Sequence, residues 1–369
     1  MKDTYNYPLL DKISNLYQPN EKSFENVYIL ACQHILSPQA KMFELVHKFG
    51  IPKENIFIFG KVYSTSKEVL NILKANGFKV SDPIFNPHIS FDQEHDENCK
   101  NELRLFLATI KNPSRIIILD DGGALLKVVN DSFESLPDIP VVGIEQTSSG
   151  FRKLEHSQIH FPIFNVARSS IKLIKESPFI ANLGCKRLEN TIEKYSIIEP
   201  RILVVGLGPI GENMLSILNS KKYFTIGYDI AHHDISMIDD LIISNNINIV
   251  VGATGSNIIM PSDLEKIILF LRQKLYLTSM SSSDREFPAI YIRKNSIKNN
   301  EVHDDIVWDS IILVNNGFPI TFKGNVFEGL PEDIERTIGL LYGSLLHAAT
   351  FDIQTAGFIE TPECLNDIL

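Results

Sequence analysis

Gly206-Leu207-Gly208-Pro209-Ile210-Gly211 is a G-x-G-x-x-G run that follows the apolar stretch Arg201–Val205 and opens a stretch of helical period, Glu212–Leu218. In that strand–turn–helix setting the run predicts a dinucleotide site. Gly206 permits the tight turn, Gly208 lets the backbone approach a pyrophosphate, and Gly211 allows close helix–strand packing. The helix N-terminus attracts the phosphates. Pro209 has no amide to offer, and Ile210 completes the turn. A second apolar stretch, Phe224–Tyr228, ends at Asp229, close to the spacing of roughly 20 residues at which a carboxylate holds ribose hydroxyls. A carboxylate there repels the extra phosphate of NADP, and no arginine follows in residues 230–234 to receive one. NAD is therefore the expected cofactor. Thr254 and Gly255, in Gly252-Ala253-Thr254-Gly255 after a strand over 247–251, suit a tight loop over one of its riboses, although strand-ending turns share that composition.

These turns need an α/β frame. From Val27 to Ile144, apolar runs at 27–32, 55–59, 115–119 and 140–144 alternate with stretches of helical period such as 40–49 and 66–75. That is the pattern of a parallel sheet clothed by helices. Residues 82–98, with two prolines and an acidic cluster at 92–97, read as a solvated loop leading into a helix over 102–110. A helical pattern over 183–195 ends at Glu199-Pro200, after which strand candidates at 201–205, 224–228, 247–252, 275–278 and 311–314 form a second series. The expected fold class is α/β, with two Rossmann-like doubly wound domains. Residues 1–186 form a substrate and catalytic domain, 187–335 the NAD-binding domain, and 336–369 a C-terminal helix returning to the first.

The chain has 369 residues, 44% hydrophobic and 22% charged, enough to bury two cores. A formal charge of −10 without any Lys/Arg run argues against nucleic acid as a partner. No apolar stretch approaches the roughly 20 residues that cross a bilayer. The N-terminal residues lack a signal-peptide core, so a cytoplasmic protein with no membrane partner is expected. Cys32, Cys99, Cys185 and Cys364 contain no C-x-x-C pair, which predicts reduced thiols and no metal. The pair His232-His233 lacks ligand spacing and reads as a polar loop.

Further motifs stand in order through the first half: Ile29-Leu30-Ala31-Cys32-Gln33-His34, Tyr63-Ser64-Thr65-Ser66, Leu119-Asp120-Asp121-Gly122-Gly123, and Gly143-Ile144-Glu145-Gln146-Thr147-Ser148-Ser149-Gly150. Asn165-Val166 follows, then Lys172 and Leu183-Gly184-Cys185. With the glycine run, they make nearly the whole chain resemble the S-adenosyl-L-homocysteine hydrolase family. The resemblance implies a redox–elimination cycle on a nucleoside thioether. NAD takes hydride from the ribose 3′ carbon, the ketone acidifies the 4′ proton, the 5′ group departs, water adds and hydride returns. The ketone is needed because the unactivated proton is beyond any side-chain base. On this resemblance Lys172, its pKa lowered by burial, assists removal of the 3′-hydroxyl proton. His34 and Asp121 hold the substrate and exchange protons, and Glu176 stands near the position of the family's catalytic aspartate. Gln146, Thr65 and Ser282 would contact substrate, and Thr147, Ser148 and Ser149 the nicotinamide ribose end of the cofactor.

The departures from the family lie on the substrate side. Gln146 replaces a glutamate, Glu176-Ser177 an Asp-Asn pair, and Ser282 and Phe318 two histidines. The family's C-terminal Lys…Tyr tail is absent after Leu369, which leads us to expect easier cofactor exchange. Plainer readings stand beside these. His34 suits a hydrogen-bonded core edge, Lys172 and Glu176 are an i,i+4 pair that stabilises any exposed helix, and Cys185 suits a small buried hydrophobe. Asp284 and Glu286 around Arg285 suit a local ion-pair loop. Three classes stay open: an adenosylhomocysteinase-like enzyme on a nucleoside-like substrate, a plain NAD-dependent dehydrogenase, and a non-catalytic NAD- or nucleoside-binding protein. A homo-oligomer is expected in each.

Overall fold

Apolar runs such as Tyr28–Ala31 and Ile116–Leu119 can be buried only if both faces of their strands are covered, which is the requirement of a parallel sheet between helical layers. The computed structural model describes residues 6–17, 24–136, 138–231, 237–296, 301–322 and 331–369. His232 and His233 lie outside the described residues. The strands are β1 (Val27–Ile35), β2 (Ile56–Thr65), β3 (Lys79–Ser81), β4 (Arg115–Asp120), β5 (Val141–Glu145), β6 (Pro162–Asn165), β7 (Arg201–Val205), β8 (Phe224–Tyr228), β9 (Ile249–Gly252), β10 (Leu275–Ser279), β11 (Ile306–Trp308), β12 (Ile311–Leu313) and β13 (Gly357–Ile359).

Two sheets result. The first runs β13-β6-β5-β4-β1-β2-β3 and is parallel throughout. One face is covered by helices Pro8–Leu16, Ser37–Phe49 and Pro331–Thr350, whose Leu10, Ile13, Met42, Phe43, Ile338 and Leu345 are buried with Ile29 and Ile117. The other face carries helices Phe91–Thr109 and Ala124–Asp131. The second sheet runs β11-β12-β10-β9-β7-β8, parallel except for β11. In each sheet the chain order reverses beside the first strand of the series, between β1 and β4 and between β7 and β9. The carboxyl ends of strands at such a switch point are where α/β folds bind ligands.

The chain divides into two compact units, one comprising Met1–Ile84, His95–Glu176 and Gly324–Leu369, the other Phe85–Glu94 and Ser177–Lys323. The divisions fall at 176/177 and 323/324, where 186/187 and 335/336 were expected, and a short excursion at 85–94 joins the second unit. One continuous helix, Ser170–Lys194, carries the first division, so no turn marks it in the sequence. The solvated loop expected over 82–98 is corrected. A helix covers Phe91–Thr109, and its residues Phe91, His95, Cys99, Leu103 and Phe106 are all buried. Of its acidic residues, Asp92 pairs with Arg285 at 2.7 Å and Glu94 accepts from Asn86 N at 2.9 Å, while Asp96 and Glu97 are exposed on a solvated face. The four cysteines are free thiols. Among the described residues, no helix is long and apolar enough to cross a membrane.

Candidate active site

In the first unit, His34, Asp121 and Gln146 stand at the carboxyl ends of β1, β4 and β5, at the switch point. His34 Nε2 lies 3.1 Å from Asp121 Oδ2, and His34 Nδ1 lies 2.6 Å from Ser64 Oγ on β2. The second Asp121 oxygen, Oδ1, takes the Lys61 ammonium, and both side chains are almost wholly buried. Gln146 Oε1 accepts from Gln33 Nε2 at 2.9 Å, and the Lys172 ammonium donates to the Gln146 backbone carbonyl. Lys172 also lies 3.7 Å from Glu176 Oε1, while Glu176 Oε2 accepts from Thr337 Oγ1 at 2.6 Å. The Lys172 and Glu176 side chains are only 11% and 17% exposed, which removes the exposed-helix reading of that pair.

Beneath this row lies a second, fully buried one. Glu145 Oε1 accepts from Thr147 N at 2.7 Å, from Thr147 Oγ1 at 2.8 Å and from Gly122 N at 3.2 Å. Among the described residues, its Oε2 has no hydrogen-bond partner. Burial, reinforced by neighbouring Asp120, pushes the Glu145 carboxyl up to about 8. Burial likewise raises Asp120 to about 6, against the pull of the Leu126 amide and Lys61. Asp121 is the contrast. Burial would raise it too, but the Lys61 ammonium and His34 outweigh that and hold it well below the usual carboxylate range. Thr147 caps the helix Ser148–Leu154, so Ser148 and Ser149 form its first turn. Thr65, at the end of β2, gives its hydroxyl proton to the Lys61 carbonyl at 2.8 Å. A cleft of about 360 Å³, lined by Asn165, Arg168, Ser170 and Thr361 among others, lies where the helix carrying Lys172 begins.

In the second unit, the turn after β7 has Gly206 at φ +95°, and Gly208 and Pro209 lead into the helix Pro209–Ser220. Ile210 and Gly211 belong to its first turn. A Cβ at Gly211 would sit 1.8 Å from the Gly206 carbonyl oxygen, so only glycine lets helix and turn meet. Asp229, just after β8, accepts from Leu207 N at 2.9 Å and from Ala231 N at 2.8 Å, which sets it against the turn. The loop after β9 is gripped by Glu286. Its Oε1 accepts from Thr254 N at 2.6 Å, Gly255 N at 3.0 Å and Ser281 Oγ at 2.9 Å, and its Oε2 from Ser279 Oγ at 2.6 Å. We expect Glu286→Gln, which turns one acceptor into a donor facing Ser279, to cost about 1–2 kcal/mol in urea unfolding. An unchanged midpoint would mean the loop holds itself.

The local ion-pair loop expected around Arg285 is corrected. Asp284 pairs with Arg293 at 2.7 Å, Arg285 reaches Asp92, and Glu286 serves the loop above. Ser282 lies in the same turn, half-buried beside the buried Ser283 and Asp284. Phe318, at a family histidine position, is a fully buried core residue with ring centroids 5.9 Å from Phe85 and 5.7 Å from Phe91. Lys61 is the participant that the sequence reading did not name; Ser64 and Glu145 stood inside quoted motifs without a role, and Glu286 was read only as part of an ion-pair loop. A lysine inside the apolar run of β2 was the available signal, since lysine is almost never buried without a partner. Among the described residues, no group of His, Cys, Asp and Glu could hold a metal ion.

Two α/β units, one bearing a glycine-rich turn and the other a buried charge cluster, define a two-domain Rossmann-type protein. The chain belongs to the family of uncharacterized protein Rv0104 of Mycobacterium tuberculosis, with 31% identity over 353 residues, covering 93% of this chain and 68% of the relative. Uncharacterized protein MT0113, from another strain of that organism, matches to the same extent. No family model matches. Among solved structures, the chain is similar to a dipicolinate synthase from Bacillus halodurans, at 10% identity and TM-score 0.45 over 88% of this chain and 98% of that one. It is also similar to a 2-hydroxyacid dehydrogenase from Ketogulonicigenium vulgare, at 10% identity and TM-score 0.40 over 92% and 100% of the two chains.

Proposed function

We propose that the chain is an NAD-dependent oxidoreductase that removes hydride from a secondary hydroxyl of a small polar substrate. The first unit would hold the substrate and the second the dinucleotide. The observation that carries this reading is the gathering of His34, Asp121, Gln146, Lys172 and Glu176 at one sheet edge. The second unit fits a dinucleotide on its own geometry. Among the described residues, and apart from its chain neighbours, a Cβ at Gly208 would meet no atom within 4 Å, leaving the backbone open to a pyrophosphate, and Asp229 stands beside the turn for the ribose hydroxyls. Gly206, Gly208, Ile210, Gly211, Asp229, Thr254 and Gly255 would line that site.

Bound NAD supplies the hydride acceptor. The chain's task is then to take the hydroxyl proton. Lys172, pinned by the Gln146 carbonyl, would pass a proton to Glu176 and receive the proton of the substrate hydroxyl on Nζ. Thr337 fixes the Glu176 carboxyl for that exchange. Asp121, through the His34 ring that it holds, and the Gln146 side chain would orient the remaining polar groups of the substrate. Net hydride transfer, with release of the reduced cofactor, needs nothing further from the protein.

A second reading keeps the redox step internal, as in adenosylhomocysteinase-like elimination and hydration on a nucleoside-like substrate. It is favoured by the meeting of Asp121, Gln146 and Lys172, which the resemblance singles out. It is disfavoured by Ser282 and by the core position of Phe318. Mass spectrometry of small molecules released on denaturing the purified protein tests both, followed by assay of NADH formation with any alcohol found. Released NAD and net NADH support the dehydrogenase, whereas NAD beside a nucleoside without net NADH supports the internal cycle. No nicotinamide, before or after adding NAD, sinks both.

A further inference from the structure

Lys61 is a cation with no place in the proton transfer described above. It sits in β2 between Gly60 and Val62, with its side chain 3% exposed, and its ammonium meets Asp121 Oδ1. The other Asp121 oxygen faces His34 Nε2 at 3.1 Å. The opposite ring nitrogen, Nδ1, faces the hydroxyl of Ser64 at 2.6 Å, three residues along β2 from Lys61. One strand thus supplies both ends of a chain of contacts, Lys61–Asp121–His34–Ser64, that passes through the ends of β4 and β1. With Nε2–H donating to Asp121, Nδ1 is left as the acceptor for Ser64.

We propose that Lys61 is a positioning residue: it balances the charge of Asp121, so that the carboxylate orients the His34 ring without binding a proton through it. His34 then keeps Nδ1 as the acceptor that faces the Ser64 hydroxyl. The proposal deepens the oxidoreductase reading and takes its catalytic sense from it. Lys61 also faces Tyr63 and Cys32, and burial drives both of these toward the neutral form, Tyr63 to about 12 and Cys32 well above an ordinary thiol. His95, on the helix packed over β1, is held neutral by burial and by Lys61 and Lys153, at about 3. Asp120 lies one row below. Asp121 is therefore the acid that Lys61 is placed to balance.

The test is NMR titration of the ring of His34 in the full chain, parent against Lys61→Met, with thermal melting of both. Neither readout needs substrate or NAD, so a failed oxidoreductase reading leaves the outcome intact. If Lys61→Met folds, the midpoint of the His34 titration is expected to rise by at least about one pH unit as the ring becomes the sole partner of Asp121. An unmoved midpoint overturns the proposal, since a purely structural lysine would leave it alone. If Lys61→Met does not fold, the double variant Lys61→Met with Asp121→Asn is expected to recover a cooperative melt. Failure of the double variant to do so equally overturns it.

Discussion

Gly208→Ala is expected to melt with the parent yet to bind NAD at least about 100-fold more weakly, a loss of roughly 2.7 kcal/mol. Among the described residues, and apart from its chain neighbours, a Cβ at Gly208 has no atom within 4 Å, so the fold does not resist it. The same methyl would stand where a pyrophosphate must touch the backbone. Gly211→Ala should behave the opposite way. Its Cβ would lie 1.8 Å from the Gly206 carbonyl oxygen, a backbone atom with no room to move, so we expect about 3 kcal/mol or more of lost stability. Thermal melting and calorimetric titration with NAD, run on both variants, separate the two roles. Parent-like NAD affinity in Gly208→Ala would falsify the dinucleotide reading of the turn. Parent-like stability in Gly211→Ala would show that the helix can lift from the turn.

That contrast also shows what was legible in the sequence. The glycine run could be read because its constraints are local: a turn with positive φ, an open backbone and a close helix each demand the missing Cβ within six residues. His34, Asp121 and Gln146 were legible for a related reason, since each ends an apolar strand and a parallel sheet presents all such ends on one edge. Lys61 was not, because a strand interior gives no hint that its charge is balanced by a residue 60 positions away. The helix Phe91–Thr109 was misread because its buried stripe opens Phe91, His95, Cys99 at four-residue spacing, and histidine and cysteine do not register as an apolar face. Lys172 and Glu176 carried the opposite ambiguity. Their spacing is that of a surface pair, and only packing against Gln146 and Thr337 places them in the site.

The pH dependence of folding follows from the two buried carboxyl rows. Glu145 at about 8 and Asp120 at about 6 are both raised, so the folded chain retains protons that the unfolded chain has released. Stability is therefore full below about pH 4 for these groups and falls as pH rises, by roughly 1.4 kcal/mol per unit per group until the folded value is passed. Asp121 has the opposite sign: it is held low, so its contribution is present above about pH 4 and lost as pH falls. Glu145→Gln keeps an oxygen to accept from Thr147 and Gly122 and carries no proton to lose. It is expected to exceed the parent by only about 1 kcal/mol at pH ~5 and by roughly 4 kcal/mol at pH ~8 in urea unfolding. A parent profile that is flat between those values would mean that Glu145 is ionised in the folded chain. At neutral pH the site then contains one carboxyl fixed as an anion by Lys61 and, one row below, another fixed as an acid by burial. The proton of Glu145 belongs on Oε2, since Oε1 already accepts from three donors. That assignment makes Glu145 the anchor of the Thr147 turn, while leaving Asp121 as the charge available to His34.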